Sequence, residues 1–414
     1  MRILVLDEEF PYPTNNGKRT RSFNLYQRLA THFQILYVGY GKKNSIAPEA
    51  LRMQGIEPVT VLAKIPQKHG AFFYLRLLAN LFSPLPYIVT SHYSRIYQET
   101  VRDCLARFQP DLVLCEWTPY AVYVKELASV KKVVSTHNIE ADIWQRYHEN
   151  ETNWFRRLYI REQWRKVQRF EQVALGYMDG ALTVSDLDCN RLLQAHPGLP
   201  IAVIPNGVDL HYFQPLLQPE CRRHLVFTGS MDWRPNQDAA RYFVREILPL
   251  LRQVHHDLEC TFVGRNPPAD IQALTEGPGI HITGTVDDVR PYVERAAVYV
   301  VPLRIGGGSR LKILEALAMG RAVVSTTVGA EGLDVIHDRH VVLADNPRTF
   351  AESVLKLLDD PEQCQRLAME GRRLVEQYYG WDALADRFGD FIRKIAAGEL
   401  ASGLAEKAAV PTAR

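Results

Sequence analysis

The sequence predicts an α/β protein made of two doubly wound, parallel-sheet domains in tandem. Three observations lead there. Short β-branched runs alternate with helical patterns along nearly the whole chain. Most of those runs are continuously apolar rather than alternating, as strands buried on both faces are. The alternation pauses once, at 206–223, where NGVDLHYFQPLLQPECRR carries two prolines and no long period. A chain of 414 residues also exceeds one ordinary core.

In chain order, the strand candidates before the pause are RILVLD (2–7), QILYVG (34–39), VTVLA (59–63), DLVLCE (111–116), KVVSTH (132–137), GALTVS (180–185) and IAVIP (201–205). After it come HLVFTG (224–229), LECTFVG (258–264), IHITG (280–284), VYVVP (298–302) and AVVST (322–326). The domains are therefore expected at about 1–205 and 206–380, with ligands at the carboxyl ends of the two sheets, in a cleft between them. A helical segment at 381–398 is expected to pack back on the first domain, and the small, polar 399–414 to be a frayed tail.

Composition excludes several classes. Lys and Arg number 49 against 47 Asp and Glu, so no basic excess marks a nucleic-acid binder. The cysteines at 104, 115, 189, 221, 260 and 364 are scattered, without metal-ligand spacing, and read as reduced thiols. The chain opens on a strand pattern with no leader segment, which makes the cytoplasm the expected location. Two apolar or basic stretches stand apart. AFFYLRLLANLFSPLPYIV (71–89), interrupted by Arg76, Asn80 and prolines, is a poor membrane span. It reads either as a core helix followed by a loop or as an exposed hydrophobic lip near a membrane or a greasy acceptor. NWFRRLYIREQWRKVQRFEQ (153–172) reads either as a surface for anionic lipid or as a partly buried helix with a solvated basic face.

The sharpest local signal is PLRIGGGSRLKILEALAMG (302–320). Three glycines are costly in a helix, yet they sit where a strand turns into one. Gly306, Gly307, Gly308 and Ser309 would expose main-chain N–H groups at a positive helix end, a seat for phosphate. Arg310 and Lys312 add formal positive charge, and Ser309 can cap the helix. Glu315 lies six residues beyond Ser309, about 9 Å along the axis, within reach of a ribose whose diphosphate occupied the bend. Read without context, the same bend is also a plain βα turn beside a solvated glutamate.

Taken together, PYPTNNGKRTRSFNLYQRLA (11–30), STHNIEA (135–141), VSDLD (184–188), IPNGVDLHYF (204–213), FVGRNP (262–267), ITGTVDDVRPYVERAAVYVVPL (282–303) and GGGSRLKILEALAMGRAVVST (306–326) resemble a family 4 glycosyltransferase. The resemblance spans about residues 2–390 and implies the GT-B fold, two Rossmann-like domains facing across a cleft. It further implies sugar transfer from a nucleotide-diphosphate sugar with retention at the anomeric carbon and no required metal or other cofactor. By that likeness Glu315 is the second glutamate of an E-x7-E motif and holds the donor ribose. His137 faces the donor sugar. Asn16 and Gly17 form the first-loop turn by the diphosphate and acceptor. Gly229 and Gly264 lie near the nucleotide, and Val286 lies near the base. The sequence departs from the family in two places. The first glutamate of the motif is replaced by Gly307, and the loop GSMDWRPN (229–236) has Ser230 and Pro235 where an Arg and a Lys are usual. Arg310 and Lys312 are expected to supply that charge, with Arg234 a weaker candidate.

The implied partners are a nucleotide sugar and a saccharide or lipid-linked acceptor, with peripheral membrane contact and no nucleic acid. The setting would be cell-surface polysaccharide or glycoconjugate synthesis. Two other classes share the layout: a nucleotide-sugar epimerase, and a binding subunit without turnover. Asp7, Glu8 and Glu9 cluster at the first strand's end and read as structural or acceptor-side charges, since neighbouring strand side chains point apart.

Overall fold

The computed structural model describes residues 1–14, 16–42, 45–63, 69–215, 223–305, 310–400 and 405–406. These fall into two compact units. One holds Met1–Pro205 and the described residues from Leu384 on; the other holds Asn206–Ala383.

The first unit is built on strands β1 (Arg2–Leu6), β2 (Gln34–Tyr40), β3 (Ile56–Val61), β4 (Leu112–Cys115), β5 (Lys131–Thr136), β6 (Gly180–Thr183) and β7 (Ile201–Val203). The second is built on β8 (His224–Thr228), β9 (Glu259–Val263), β10 (Ile280–Ile282), β11 (Val298–Val301), β12 (Val323–Ser325) and the short β13 (Val342–Leu343). Within the segment expected to be frayed, β14 (Ala405–Glu406) pairs with β7. The sheet orders are β14-β7-β6-β5-β4-β1-β2-β3 and β10-β9-β8-β11-β12-β13, parallel throughout. Each sheet starts at an inner strand, winds outward, and returns to continue on the other side. The reversal falls between β1 and β4 in one unit and between β8 and β11 in the other. At such a switch point the loops diverge and leave a crevice beyond the strand ends.

The reason these runs form strands is visible in their burial. LVLC of β4 and VYVV of β11 are buried at every position, so helices cover both faces of each sheet. One apolar core includes Leu4, Val113 and Val134; the other includes Phe227, Phe262, Val300 and Leu314. The helix Trp381–Ala397 carries the chain into the first unit, where it packs closely. Its Phe388 ring meets Tyr26 at 6.1 Å. Its Phe391 and Ile395 press on Gly180, where an added Cβ would lie 3.1 and 2.8 Å from their side chains.

The two unusual stretches are both helical. Residues 71–89 give a helix Ala71–Leu81 and the start of another, Tyr87–His92. The first does not bury its apolar surface: Phe72 is 80% exposed, and Tyr74, Leu75 and Leu78 are also open. Phe82, just past its end, is 92% exposed. This is the exposed lip, not the core helix. Asn153 caps, and residues 154–172 lie in, the helix Trp154–Leu175, which buries Gln163, Lys166, Val167 and Glu171. Its arginines at 156, 157, 161, 165 and 169 stay in solvent, the partly buried basic helix of the second reading. No described helix is long and apolar enough to cross a membrane.

The docking of the last helix yields a stability test. Phe391 is fully buried. Phe391→Ala is expected to destabilise the protein by about 3–5 kcal/mol, read as a lowered denaturant midpoint.

Candidate active site

Both switch points carry polar clusters, and each is described within its own unit.

In the first unit the chain leaves β1 at Asp7, β4 at Glu116 and β5 at His137. The strand ladder continues one step past its ends: Asp7 N donates to Val38 O at 3.0 Å, and Glu116 N donates to Leu6 O at 2.9 Å. Two carboxylates are thereby fixed on either side of the reversal, 1% and 2% exposed. Buried charge must be compensated, and the helix Gly17–Leu29 does it. Its Lys18, Ser22 and Tyr26 recur every four residues and share one face. Lys18 Nζ lies 2.6 Å from Asp7 Oδ1 and 3.0 Å from Glu8 Oε1. Tyr37 donates to Asp7 Oδ2 at 2.6 Å. Ser22 donates to Glu116 Oε2 at 3.1 Å, and Tyr26 donates to Oε1. His137 Nε2 meets Glu116 Oε2 at 2.9 Å.

The electrostatics follow from those contacts. Burial works against ionisation of Glu116, but hydrogen bonds from His137 and Tyr26, with the charges of His137 and Arg21, outweigh it and hold its pKa below the ordinary value. An ionised carboxylate only accepts, so the hydrogen on His137 sits on Nε2 and points at Glu116. Asp7 behaves differently. Burial, with Glu116 and Glu8 nearby, pushes it up to about 6 despite Lys18. Asp7 and Glu8 hold Lys18 protonated against the cost of burial. Asn16 spends its side chain capping the helix, accepting from Arg19 N at 2.9 Å, and Gly17 is the first helical residue.

In the second unit, Gly306, Gly307, Gly308 and Ser309 lie outside the described residues. Around them, Gly229 follows β8, Gly264 follows β9, and Lys312 and Glu315 stand on the helix Leu311–Ala318 after β11. Three of these converge. A Cβ on Gly264 would lie 1.9 Å from Gly229 O, and one on Gly229 would lie 2.8 Å from Lys312 Nζ. Both glycines are thus required for backbone and side-chain closeness. Lys312 Nζ bonds Asn236 Oδ1 at 2.7 Å and lies 4.1 Å over the Phe227 ring. Asn236 is itself fixed by donating to Ser230 O at 2.8 Å. Among the described residues, no carboxylate comes within ion-pair distance of Lys312. Burial lowers its pKa to about 7, against the pull of Glu315. Burial raises Glu315 to about 7, against the pull of Lys312.

Other expected residues sit apart. Arg310 adopts a left-handed backbone (φ 54°) and turns its guanidinium to Glu331, 3.1 Å from Oε2 and 3.3 Å from the carbonyl. Arg234 is exposed at the start of its helix. Val286 follows β10, two strands over from β8, and lines its own cavity of about 440 Å³ with Asp288, Tyr292 and Arg295. Four residues central to these clusters carried no role in the sequence reading: Glu116, Lys18, Tyr26 and Asn236. The Lys18–Ser22–Tyr26 spacing was the available signal for one face of a helix. Nothing local marked Glu116 or Asn236.

Residues 222–360 match the family described as glycosyl transferases group 1, and residues 49–212 match glycosyltransferase family 4. An uncharacterized 44.6 kDa protein in the cps region of Klebsiella pneumoniae is 20% identical over 91% of this chain and 96% of its own length. A GDP-mannose-dependent α-(1-6)-phosphatidylinositol monomannoside mannosyltransferase of Mycobacterium tuberculosis is 26% identical over 48% of this chain, a match spanning 57% of that enzyme. Among solved structures, sucrose-phosphate synthase of Thermosynechococcus elongatus superposes with a TM-score of 0.69 at 16% identity, covering 96% of this chain and 100% of that one. Anabaena HepE in complex with UDP gives 0.65 at 12% identity, covering 95% and 100%. At these identities the structures bear on the fold alone.

The Lys312–Glu315 pair makes a pH prediction. A carboxyl whose pKa rises on folding favours the native state at low pH and loses that contribution as pH climbs from about 4.5 through about 7. The melting midpoint of the wild type is therefore expected to fall by several degrees relative to that of Glu315→Gln between pH 5 and pH 8. A constant difference across that range counts against a half-buried, proton-binding Glu315.

Proposed function

Since the chain is a family 4 glycosyltransferase of GT-B type, we propose that it moves a hexose-type sugar from a nucleotide-diphosphate sugar to a saccharide or lipid-linked acceptor. On this reading transfer retains the anomeric configuration, needs no metal, and serves cell-surface polysaccharide or glycoconjugate synthesis at the cytoplasmic face of a membrane. The observation that carries it is the convergence of Gly229, Gly264, Asn236 and Lys312, with Glu315 one turn on, at the switch point of the second sheet. That is where an open α/β sheet takes nucleotides. The names of the mycobacterial mannosyltransferase and of HepE in its UDP complex support a nucleotide-linked donor.

The chemistry follows from the charges. Breaking a glycosyl–phosphate bond builds negative charge on the departing diphosphate and positive character on the sugar. Lys312 answers the first, with the main-chain amides of 306–309 as the proposed partners. An arriving anion raises the pKa of Lys312, and ribose hydroxyls donating to Glu315 lower that of the carboxylate. Donor binding thus shifts a proton from Glu315 toward Lys312 and leaves the pair ionised. In the first unit, Glu116 holds the His137 ring by Nε2 and leaves Nδ1 for a sugar hydroxyl. Asp7, Glu8 and Lys18 form the charged floor beside it, on the acceptor side.

Turnover of a UDP- and GDP-sugar panel tests the reading. Nucleotide release with transfer or hydrolysis supports it; isomerised donor, or binding without turnover, overturns it. Lys312→Met is expected to lower kcat/KM by about 10–100-fold. Calorimetry at pH 7 in buffers of different ionisation enthalpy should show near-zero net proton exchange for the wild type. Glu315→Gln should instead take up about half a proton. Glu116→Gln should reduce kcat about tenfold or more with nucleotide affinity unchanged.

A further inference from the structure

The first unit holds a second concavity, about 750 Å³, that the reaction chemistry does not use. Its walls are almost wholly apolar: Phe73, Leu77, Leu78, Ile88, Tyr147 and Ile160 from four helices. Those walls are firmly built. Asn80 is buried and donates to Leu85 O at 3.1 Å and to Thr90 Oγ1 at 3.0 Å. Gln163 donates to Asn80 Oδ1 at 2.9 Å and accepts from Tyr87 N at 2.8 Å. Lys166 Nζ closes the end of the helix Ala71–Leu81, donating to Asn80 O at 2.8 Å and Leu81 O at 3.0 Å. This polar cluster ties the helices 71–81, 87–92 and 154–175 to one another beside the groove.

The two ends of the groove differ. Its outer rim carries exposed Leu78 and Phe155 beside the solvated Arg156. Its inner end is His92, whose Nε2 lies 3.6 Å from Glu8 and whose ring stands edge-on to Trp117 at 5.0 Å. Glu8 pairs with Lys18, and Trp117 donates to Glu140 at 2.8 Å. The apolar groove therefore ends on a side chain, His92, that itself touches the charged cluster at the first sheet's switch point.

We propose that this groove is the hydrocarbon subsite for a lipid-linked acceptor bearing an anionic head: the chain lies between the helices 71–81 and 154–175, and the polar end emerges at His92. Adjacency to the charged cluster through His92 selects a chain attached to the acceptor, and the rim arginine suits an anionic amphiphile. The volume is that of a small-molecule pocket, sized for part of one chain. The identity of the polar end rests on the glycosyl-transfer reading; the groove's affinity for hydrocarbon does not.

The test uses the full-length protein and monomeric octyl, decyl and dodecyl phosphate in calorimetry. Affinity should rise about fourfold for each methylene buried. Leu78→Glu and Phe155→Glu change exposed rim residues, so the fold should persist, checked by an unchanged melting midpoint. Each should weaken dodecyl phosphate binding at least about tenfold, while the thermal shift given by UDP or GDP stays as in the wild type. Affinity independent of chain length, no tighter than that of inorganic phosphate, or unchanged from the wild type in both variants overturns the proposal. Binding to phosphatidylglycerol vesicles without binding to the monomeric probes also overturns it, in favour of a surface contact. Absence of any nucleotide shift in the wild type would instead strike at the donor reading and leave the groove result to stand by itself.

Discussion

Parallel strands deliver every one of their forward connections to the same edge of a sheet, and this constraint organises the molecule. Where the winding reverses, two adjacent strands send their chains to opposite faces, and no loop of the sheet itself covers the edge between them. Polar side chains placed just past those strand ends are neither solvated freely nor hidden in the core. Asp7 and Glu116 flank one reversal, and the turn at Gly229 and the helix from Leu311 flank the other. The chemistry is located by topology before any side chain is considered.

The two edges solve the problem of buried charge differently. In the first unit, compensation is internal. Glu116 receives donors from Ser22, Tyr26 and His137, and Asp7 receives them from Lys18 and Tyr37. Such a saturated network holds its members in one geometry, which suits a site that must present a histidine nitrogen at a fixed angle. In the second unit, compensation is incomplete. Lys312 has an amide oxygen and a ring face, and Glu315 has Lys312 one turn back, so both drift toward neutrality at pH 7. A site of that kind is completed by a ligand that brings an anion to the lysine and hydroxyls to the carboxylate.

The apolar lip on helix Ala71–Leu81 follows the same economy of burial. Its inward anchor is polar, the Asn80–Gln163–Lys166 cluster, and its outward face keeps Phe72, Leu75 and Leu78 in water. Anchoring through amides rather than aliphatic packing lets the helix stand off from its neighbours. That leaves an open apolar channel where an ordinary core helix would have closed it.

Much of this was legible from residue order alone. Continuous apolar runs and their spacing announce parallel strands, and the pause at 206–223 marks where one α/β unit gives way to the next. The chemistry of Lys312, Glu315 and His137 was approachable because each stands beside a recognisable strand end. The exposure of residues 71–82 was not decidable, since the same apolar helix can pack inward or outward. Glu116 and Asn236 escaped because their partners lie 21 to 94 positions away along the chain, as in His137, Tyr26 and Ser22 with Glu116 and Lys312 with Asn236, while Lys18 meets Asp7 and Glu8 only because the loop before its helix folds back on the strand end. Periodicity is a property of neighbouring residues and is written in the chain. Which carboxylate meets which donor depends on strand order, and strand order exists only once distant segments have packed.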